Sequence, residues 1–358
     1  MNAVHPTPLG QDAERFPRAG TDAETWEFLL RYAIRAPSGH NTQPWRFEVE
    51  GGRLYLYADG SRRLPVVDPE DRALVISCGA ALGYLLVAVR HYGYAGEVTT
   101  FPDPADQTLL ATVALGSPRT PEPDDHLLFG AIEQRHTHRA AFALRVLPET
   151  VLAGLIAQTA RGGATVSVIT GEKDPAALDG IAELVAEGDR VQFADAGFRR
   201  ELATWMRPNR TRRPDGIPGH ALGIPDLPSV LAPLMVTAVN TGSAQARKDE
   251  QLARTAPALL LISTADDTPA DWLSSGHALA LLLLRATADG LRASFLNQPI
   301  EVPALRARLR DLVPHGPHPQ LLLRIGYPHT DQPPVKATPR RTIADVLTRM
   351  TTTNARDN

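Results

Sequence analysis

The chain reads as a mixed helix-and-strand fold written twice, and two observations carry that expectation. Apolar residues recur at helical spacing in some segments and alternate in others, so helices and strands are interspersed from end to end. Two apolar stretches also resemble each other: SCGAALGYLLVAVRHYG at 77–93 and SSGHALALLLLRATADG at 274–290. Without gaps, Ser77 falls on Ser274, Gly79 on Gly276, Ala81 on Ala278, Leu82 on Leu279, Leu85 on Leu282, Leu86 on Leu283 and Gly93 on Gly290. Each is followed by a short extended segment and then a strand, TLLATVALG in one case and QLLLRIGYP in the other. Buried apolar helices resemble one another by composition, but the shared Ser-x-Gly start, Gly stop and element order favour a duplicated unit.

In chain order, residues 21–35 predict a helix, capped by Thr21 or Asp22 and striped by Trp26, Leu29, Leu30 and Ala33. It must end before Pro37, because the residue before a proline is pushed out of the helical region. Residues 45–49 and 53–58 predict two strands around a Glu-Gly-Gly turn. A long helix is expected over 71–92, with Gly93 as its stop, then strands at 97–101 and 108–115. After the proline-rich 116–123, a helix starts near Asp124. Further on come helices at 148–161, 175–193, 198–206, 272–289 and 303–312, and strands at 165–170, 258–263, 293–296 and 320–327. Residues 207–229 show no period, and the final TTTNARDN predicts a frayed tail.

Composition narrows the function. The 358 residues are 43% hydrophobic and 22% charged, which predicts a packed globular chain rather than disorder. A net charge of −3 supplies no basic excess for a nucleic-acid surface. The single cysteine, Cys78, can form no disulfide within the chain, so a reducing, cytoplasmic setting is expected. It lies in an apolar helix and reads as an inert packed thiol. No signal-peptide pattern opens the chain. The apolar run ALALLLLRA at 278–286 is too short to cross a bilayer. Gly-x-Gly-x-x-Gly, P-loop, Gly-x-Ser-x-Gly and His-Glu-x-x-His patterns are absent. The pairs His136/His138 and His315/His318 lack Cys or carboxylate partners at ligand spacing, so no metal is expected. His277 reads as a core histidine.

The segment APSGHNTQPW at 36–45 offers a hydroxyl, an imidazole, two amides and backbone N–H groups within a few residues, with Trp45 to anchor it. Gln43, before Pro44, is expected to be extended. Such a loop either caps its own backbone or holds a flat heteroaromatic ligand.

This segment resembles the flavin-contacting loop of the nitroreductase family, and the doubled length with a weak repeat resembles the fused, Acg-like branch. The resemblance implies an α+β fold: two tandem halves, each a mostly antiparallel sheet flanked by helices, packed as an intramolecular pseudo-dimer. It places the halves at 1–123 and 124–358, with a lid insertion at about 206–233. It implies FMN as cofactor. In such proteins one half supplies the loop, here Pro37, Ser38, Gly39, His40, Asn41 and Gln43. The other supplies a phosphate motif, for which EQRHTHRAAF offers Arg135, His136, Thr137 and Arg139, arginine being the residue best suited to a phosphate. Near the C-terminus, Arg340 and Arg341 resemble the family's basic motif, with Thr338 where many members carry lysine. Pro299, Ile300 and Glu301 resemble the segment along the flavin ring, with Val302 where glycine is common.

The halves are not equivalent. The first has the loop but only Arg15 and Arg18 ahead of its first helix, whereas the second has the Arg motif but ARGGATVSV in place of the loop. One FMN per chain, between the halves, is the expectation. The resemblance implies hydride transfer from NAD(P)H to a small organic acceptor in ping-pong fashion, with no side chain nominated as a catalytic acid or base. The alternatives are a flavin-sequestering protein with an occluded site and a specialised biosynthetic flavin dehydrogenase. Fused halves already bury the usual dimer interface, so a monomer or weak homodimer is expected.

Overall fold

The computed structural model describes residues 16–313, 316–330 and 336–349. Arg15, His315 and the 351–358 tail lie outside the described residues.

The first half runs α1 (Asp22–Ala33), β1 (Trp45–Glu50), β2 (Arg53–Ala58), α2 (Arg72–His91), β3 (Glu97–Thr100) and β4 (Leu109–Ala114), and α3 (Pro123–Ala131) follows at the junction of the halves. α1 opens on a capping box, in which the Thr21 hydroxyl accepts from the Glu24 N–H and the Glu24 carboxylate accepts from the Thr21 N–H. β1 and β2 join through Gly51 and Gly52, with φ of +56° and +76°, the left-handed pair that a tight hairpin turn requires.

The second half begins with α4 (Glu149–Arg161) and β5 (Thr165–Ile169). A long excursion follows: α5 (Pro175–Ala194), α6 (Ala196–Trp205), β6 (Met206–Arg207), β7 (Ile217–Pro218), α7 (Asp226–Ala238) and α8 (Gly242–Arg254). The frame resumes with β8 (Ala258–Thr264), α9 (Pro269–Ala288), β9 (Arg292–Phe295), α10 (Gln298–Glu301), α11 (Pro303–Leu312) and β10 (His318–Gly326). The chain then crosses back as α12 (Ile343–Val346) and β11 (Leu347–Arg349).

The sheets are ordered β11-β1-β2-β4-β3 and β5-β8-β10-β9. Apart from β11, the two orders correspond strand for strand, and every corresponding pair is antiparallel. β11 adds in parallel beside β1, pairing Leu347 with Phe47. The last described segment of the second half therefore completes the first half's sheet.

The repeat helices α2 and α9 cross at their matched glycines. A Cβ on Gly79 would lie 2.1 Å from the Leu273 carbonyl oxygen, and one on Gly276 would lie 2.0 Å from that of Ile76. The contact is reciprocal, as across a two-fold interface. Ile76 is buried in the second half's core, while Leu273, Ala280, Leu281 and Leu284 are buried in the first half's. α2 is also long and apolar enough to cross a membrane, but 94% of its most apolar window is buried inside the molecule.

Three departures from expectation have local causes. α9 starts three residues early, because Thr268 caps it in a box with Asp271. α8 carried no apolar signal, since its buried residues are Gly242, Ala246 and Ala253. α7 occupies part of the stretch expected to be aperiodic and contains Pro233 in its interior. Its large apolar side chains Leu227, Val230, Leu231, Leu234 and Met235 face solvent.

Candidate functional site

The connection from α1 to β1 is a short, strained loop. His40, Asn41 and Gln43 have φ of +49°, +54° and +54°, a region that non-glycine residues seldom occupy and that surrounding structure must enforce. The Ser38 hydroxyl accepts from the Gln43 N–H at 2.9 Å, and the Gly39 N–H donates to Ser77 Oγ on α2 at 3.3 Å. Gln43 is left-handed rather than extended because its amide is held at both ends. Its Oε1 accepts from the Arg341 N–H at 2.8 Å, and its Nε2 donates to the Pro214 carbonyl at 2.8 Å. Asn41 is engaged in the same way: Nδ2 donates to the carbonyls of Gly216 (2.9 Å) and Pro339 (3.1 Å), and Oδ1 accepts from Arg340 (3.0 Å). The two amides tie together the loop, the C-terminal segment and the tip of the inserted segment.

Adjacent Arg340 and Arg341 do different work. The Arg341 guanidinium donates to the carbonyls of Gln43, Trp45 and Asp345 and lies 3.5 Å from Asp59. It is committed to the fold and is not free for a ligand. Arg340 donates to Asn41, to Thr338 and to main-chain oxygens, and has no carboxylate partner among the described residues. Its Nε is buried without a partner, as is the Nε of Arg135. Burial, and then the charge of Arg135, lower the Arg340 pKa to about 9. Tyr84 of α2 faces both arginines. Two neighbouring, half-buried guanidiniums with no carboxylate partner among the described residues repel each other, and an anion between or beside them would relieve that repulsion.

Arg135–Arg139 lies against β9, where Thr137 bridges Ala293 and the His138 N–H donates to the Ala293 carbonyl at 2.9 Å. Buried Arg324 braces it from β10 by donating to the carbonyls of Ala140 (2.9 Å) and His138 (3.1 Å). Sequence reasoning missed Arg324 and Tyr84; a lone arginine inside the apolar strand QLLLRIGYP was the available signal. Arg139 donates to the Ala221 carbonyl of the insertion at 3.0 Å. It also faces His40, whose pKa falls to about 4 through burial and then through Arg139. His40 is therefore neutral at physiological pH. The His136 Nδ1 lies 3.0 Å from the Gln134 carbonyl, so that ring is turned to its own loop.

α10 presents the remaining predicted residues. Pro299 and Ile300 are buried, Ile300 within the second half's core, so their side chains are committed to packing. Glu301 Oε2 accepts from Gln192 Nε2 at 2.7 Å. Burial raises its carboxyl pKa, and Gln192 and then Arg72 of α2 counteract this. Cys78 is buried, its thiol donates to the Pro44 carbonyl at 3.2 Å, and burial raises its pKa. His277 is largely buried, and its Nε2 has no partner. No group of three or more His, Cys, Asp or Glu suited to a metal occurs among the described residues.

The fold and site define an internally duplicated α+β protein in which the loop, the Arg segment and the C-terminal crossover bring Arg135 and Arg340 together. A Mycobacterium tuberculosis protein named "Putative NAD(P)H nitroreductase Rv3131" is 33% identical over 331 residues, covering 91% of this chain and 92% of that one. A second, named "Putative NAD(P)H nitroreductase acg", is 31% identical over 324 residues, covering 89% and 93%. The chain belongs to the nitroreductase family of oxidoreductases. No family model matches it. Among solved structures, the FMN-dependent nitroreductase NfnB from Mycobacterium smegmatis in complex with NADPH aligns over 63% of this chain and 98% of its own. The identity is 18% and the TM-score 0.39, a likeness too loose to bear weight.

Proposed function

We propose that the chain binds one FMN between its two halves, 1–123 and 124–358, and uses NAD(P)H to reduce a small organic acceptor. The observation that carries this reading is the Arg135–Arg340 pair: two guanidiniums whose buried Nε atoms have no partner, and which have no carboxylate partner, among the described residues. A phosphate is the group that such a pair fits best. Arg135 and Arg340 would hold the FMN phosphate, and the segments 37–40 and 299–301 would hold the ring. When bound, FMN would supply hydride transfer, in alternating half-reactions with nicotinamide and acceptor. Neutral His40 and the backbone N–H groups of the loop would face the ring without adding charge. Arg341, Gln43 and Asn41 would position the loop rather than recognise the cofactor.

A second reading has its own support. The insertion donates to or accepts from Asn41, Gln43 and Arg139, three residues expected to face the flavin. A lid fastened in this way would hold flavin while excluding acceptors, which favours a sequestering protein. The frame joined by α2 and α9 already buries the interface of a dimer, so a monomer is proposed. The apolar face of α7 is the surface through which weak self-association would run.

Reconstitution with FMN and absorbance stoichiometry test the site; two flavins per chain would overturn it. Anaerobic bleaching of the bound flavin by NADPH or NADH separates enzyme from store. Rapid bleaching supports turnover. No bleaching in the wild type, with bleaching gained when the lid tip is loosened, supports sequestration.

A further inference from the structure

A second cationic cleft lies outside the lid tip. Arg62, Arg207 and Arg213 line a cavity of about 290 Å3 with Trp205, and Asp215 is the one carboxylate among its lining residues. Asp215 is 3.0 Å from Arg62 and 3.0 Å from Arg207, so it bridges the first half to the insertion. Burial pushes its carboxyl pKa up, but hydrogen bonds from Arg207 and Arg62 bring it below the usual range. Asp59 lies 3.6 Å from Arg62 but is shared with Arg341 at 3.5 Å. Arg213 is exposed, and its guanidinium has no hydrogen bond or ion pair among the described residues. Four arginines thus face two carboxylates. The guanidiniums of Arg62 and Arg207 sit 5.9 Å and 5.7 Å from the Trp205 ring.

We infer that this cleft binds a phosphomonoester, whose dianion takes Arg62 and Arg207 from Asp215, recruits Arg213, and so releases the 214–216 tip from Asn41 and Gln43. The chemistry selects the ligand. Arginine forks match phosphate oxygens two at a time, and a dianion outbids a single carboxylate for two forks. The volume suits a phosphate with a small body rather than a whole dinucleotide, and the indole offers a face for a planar ring. The coupling follows from connectivity. Asp215 sits between Pro214, whose carbonyl accepts from Gln43, and Gly216, whose carbonyl accepts from Asn41. A ligand that binds the released state better shifts the tip in proportion to that difference. The release half of the inference rests on the reading of the insertion as a lid; the binding half does not.

The test uses the full chain loaded with FMN, so that the Arg135–Arg340 pair is filled. Inorganic phosphate, adenosine 2′-phosphate and adenosine are titrated while tryptophan fluorescence and amide hydrogen exchange at 214–216 are followed. Both phosphates are expected to change the fluorescence and speed exchange at the tip, adenosine to do neither, and tighter binding of the nucleotide would assign the ring to Trp205. Trp205→Phe should abolish the fluorescence response without abolishing binding measured calorimetrically. Arg213→Ala, at a side chain without structural partners, should weaken phosphate binding about tenfold. Unchanged affinity in Arg213→Ala would overturn the site, and binding without faster exchange at 214–216 would overturn the release. A chain that takes up no FMN would sink the proposed function, yet the Arg213→Ala comparison would still read the cleft.

Discussion

The two halves carry the same sheet order and matching central helices but differ at two turns, and it is on those differences that the proposed cofactor site rests. β1 and β2 meet through Gly51 and Gly52, whereas their counterparts β5 and β8 are separated by the whole excursion from α5 to α8. Conversely, the turn after α1 is the strained loop carrying Ser38, Asn41 and Gln43, whereas the turn after α4 is only Gly162, Gly163 and Ala164. A Cβ on Gly162 would lie 2.3 Å from the Ala278 Cα, so that turn packs closely onto α9. The insertion then reaches across to the half that kept its loop. On the proposed reading, only the half that kept the loop offers a cofactor site, and the insertion lies against it.

The most direct way to break the comparison is at the crossing both halves share. Gly79→Val would put a side chain into the Leu273 carbonyl and force α2 from α9. Overpacking of this severity is expected to cost about 3 kcal/mol or more, read as a lower denaturation midpoint in urea. Gly130→Ala on α3, where a Cβ meets open space, should instead be neutral or stabilise by up to about 1 kcal/mol. Equal behaviour of the two variants would show that the halves are not held together through their central helices.

Much of this frame was legible in the sequence because its signals are local. Apolar stripes and caps placed α1, α2, α4, α5 and α11 within a few residues, and the Ser-x-Gly match identified the repeated helices, though not that they cross at those glycines. The site was legible only in part. Which residues converge depends on contacts such as Asn41 to Pro339, nearly three hundred positions apart, for which spacing gives no clue. The resemblance assigned Gln43 and Arg341 to the cofactor, and no sequence signal showed that they also hydrogen-bond each other. α8 was invisible because alanines carry its buried face, and Arg324 because a strand's period conceals what one buried charge braces.

The second prediction separates the neighbouring arginines. Arg340→Ala should weaken FMN binding about 10- to 100-fold, the range expected for losing a charge-assisted contact to phosphate, with little loss of stability. Arg341→Ala should do the reverse. It would strip donors from the Gln43, Trp45 and Asp345 carbonyls and lower stability by about 2 kcal/mol. Flavin fluorescence titration and thermal unfolding, run on both variants, decide between these roles; matching losses of affinity would erase the distinction. Smaller again is Asp215→Asn. Losing the charge that joins Arg62 to Arg207 should loosen the tip by about 1 kcal/mol and speed anaerobic flavin bleaching by NADPH about fivefold. A rate at or below wild type would mean the tip does not limit access.

The smallest expected effect sharpens the comparison at a mismatched position. In the ungapped alignment His277 of α9 falls on Ala80 of α2, so at this position one central helix carries a titratable ring where the other has a methyl group. Burial, then Arg90 and Arg161, lower the His277 pKa to about 4, against about 6.5 in an unfolded chain. The native state thus holds the ring neutral while the unfolded chain protonates it. The stability this represents is complete above about pH 6.5 and is lost as pH falls toward 4. His277→Ala should therefore cost stability at pH 8, through the space it empties, yet flatten the decline between pH 8 and pH 5 by on the order of 1 kcal/mol after allowing for partial exposure. Urea unfolding of both proteins at the two pH values measures the difference. His91, also drawn down to about 4, first by burial, and His40 remain in the variant, so the acid limb should shrink rather than vanish. An unchanged limb would place the ring's proton on the native state and remove burial as its cause.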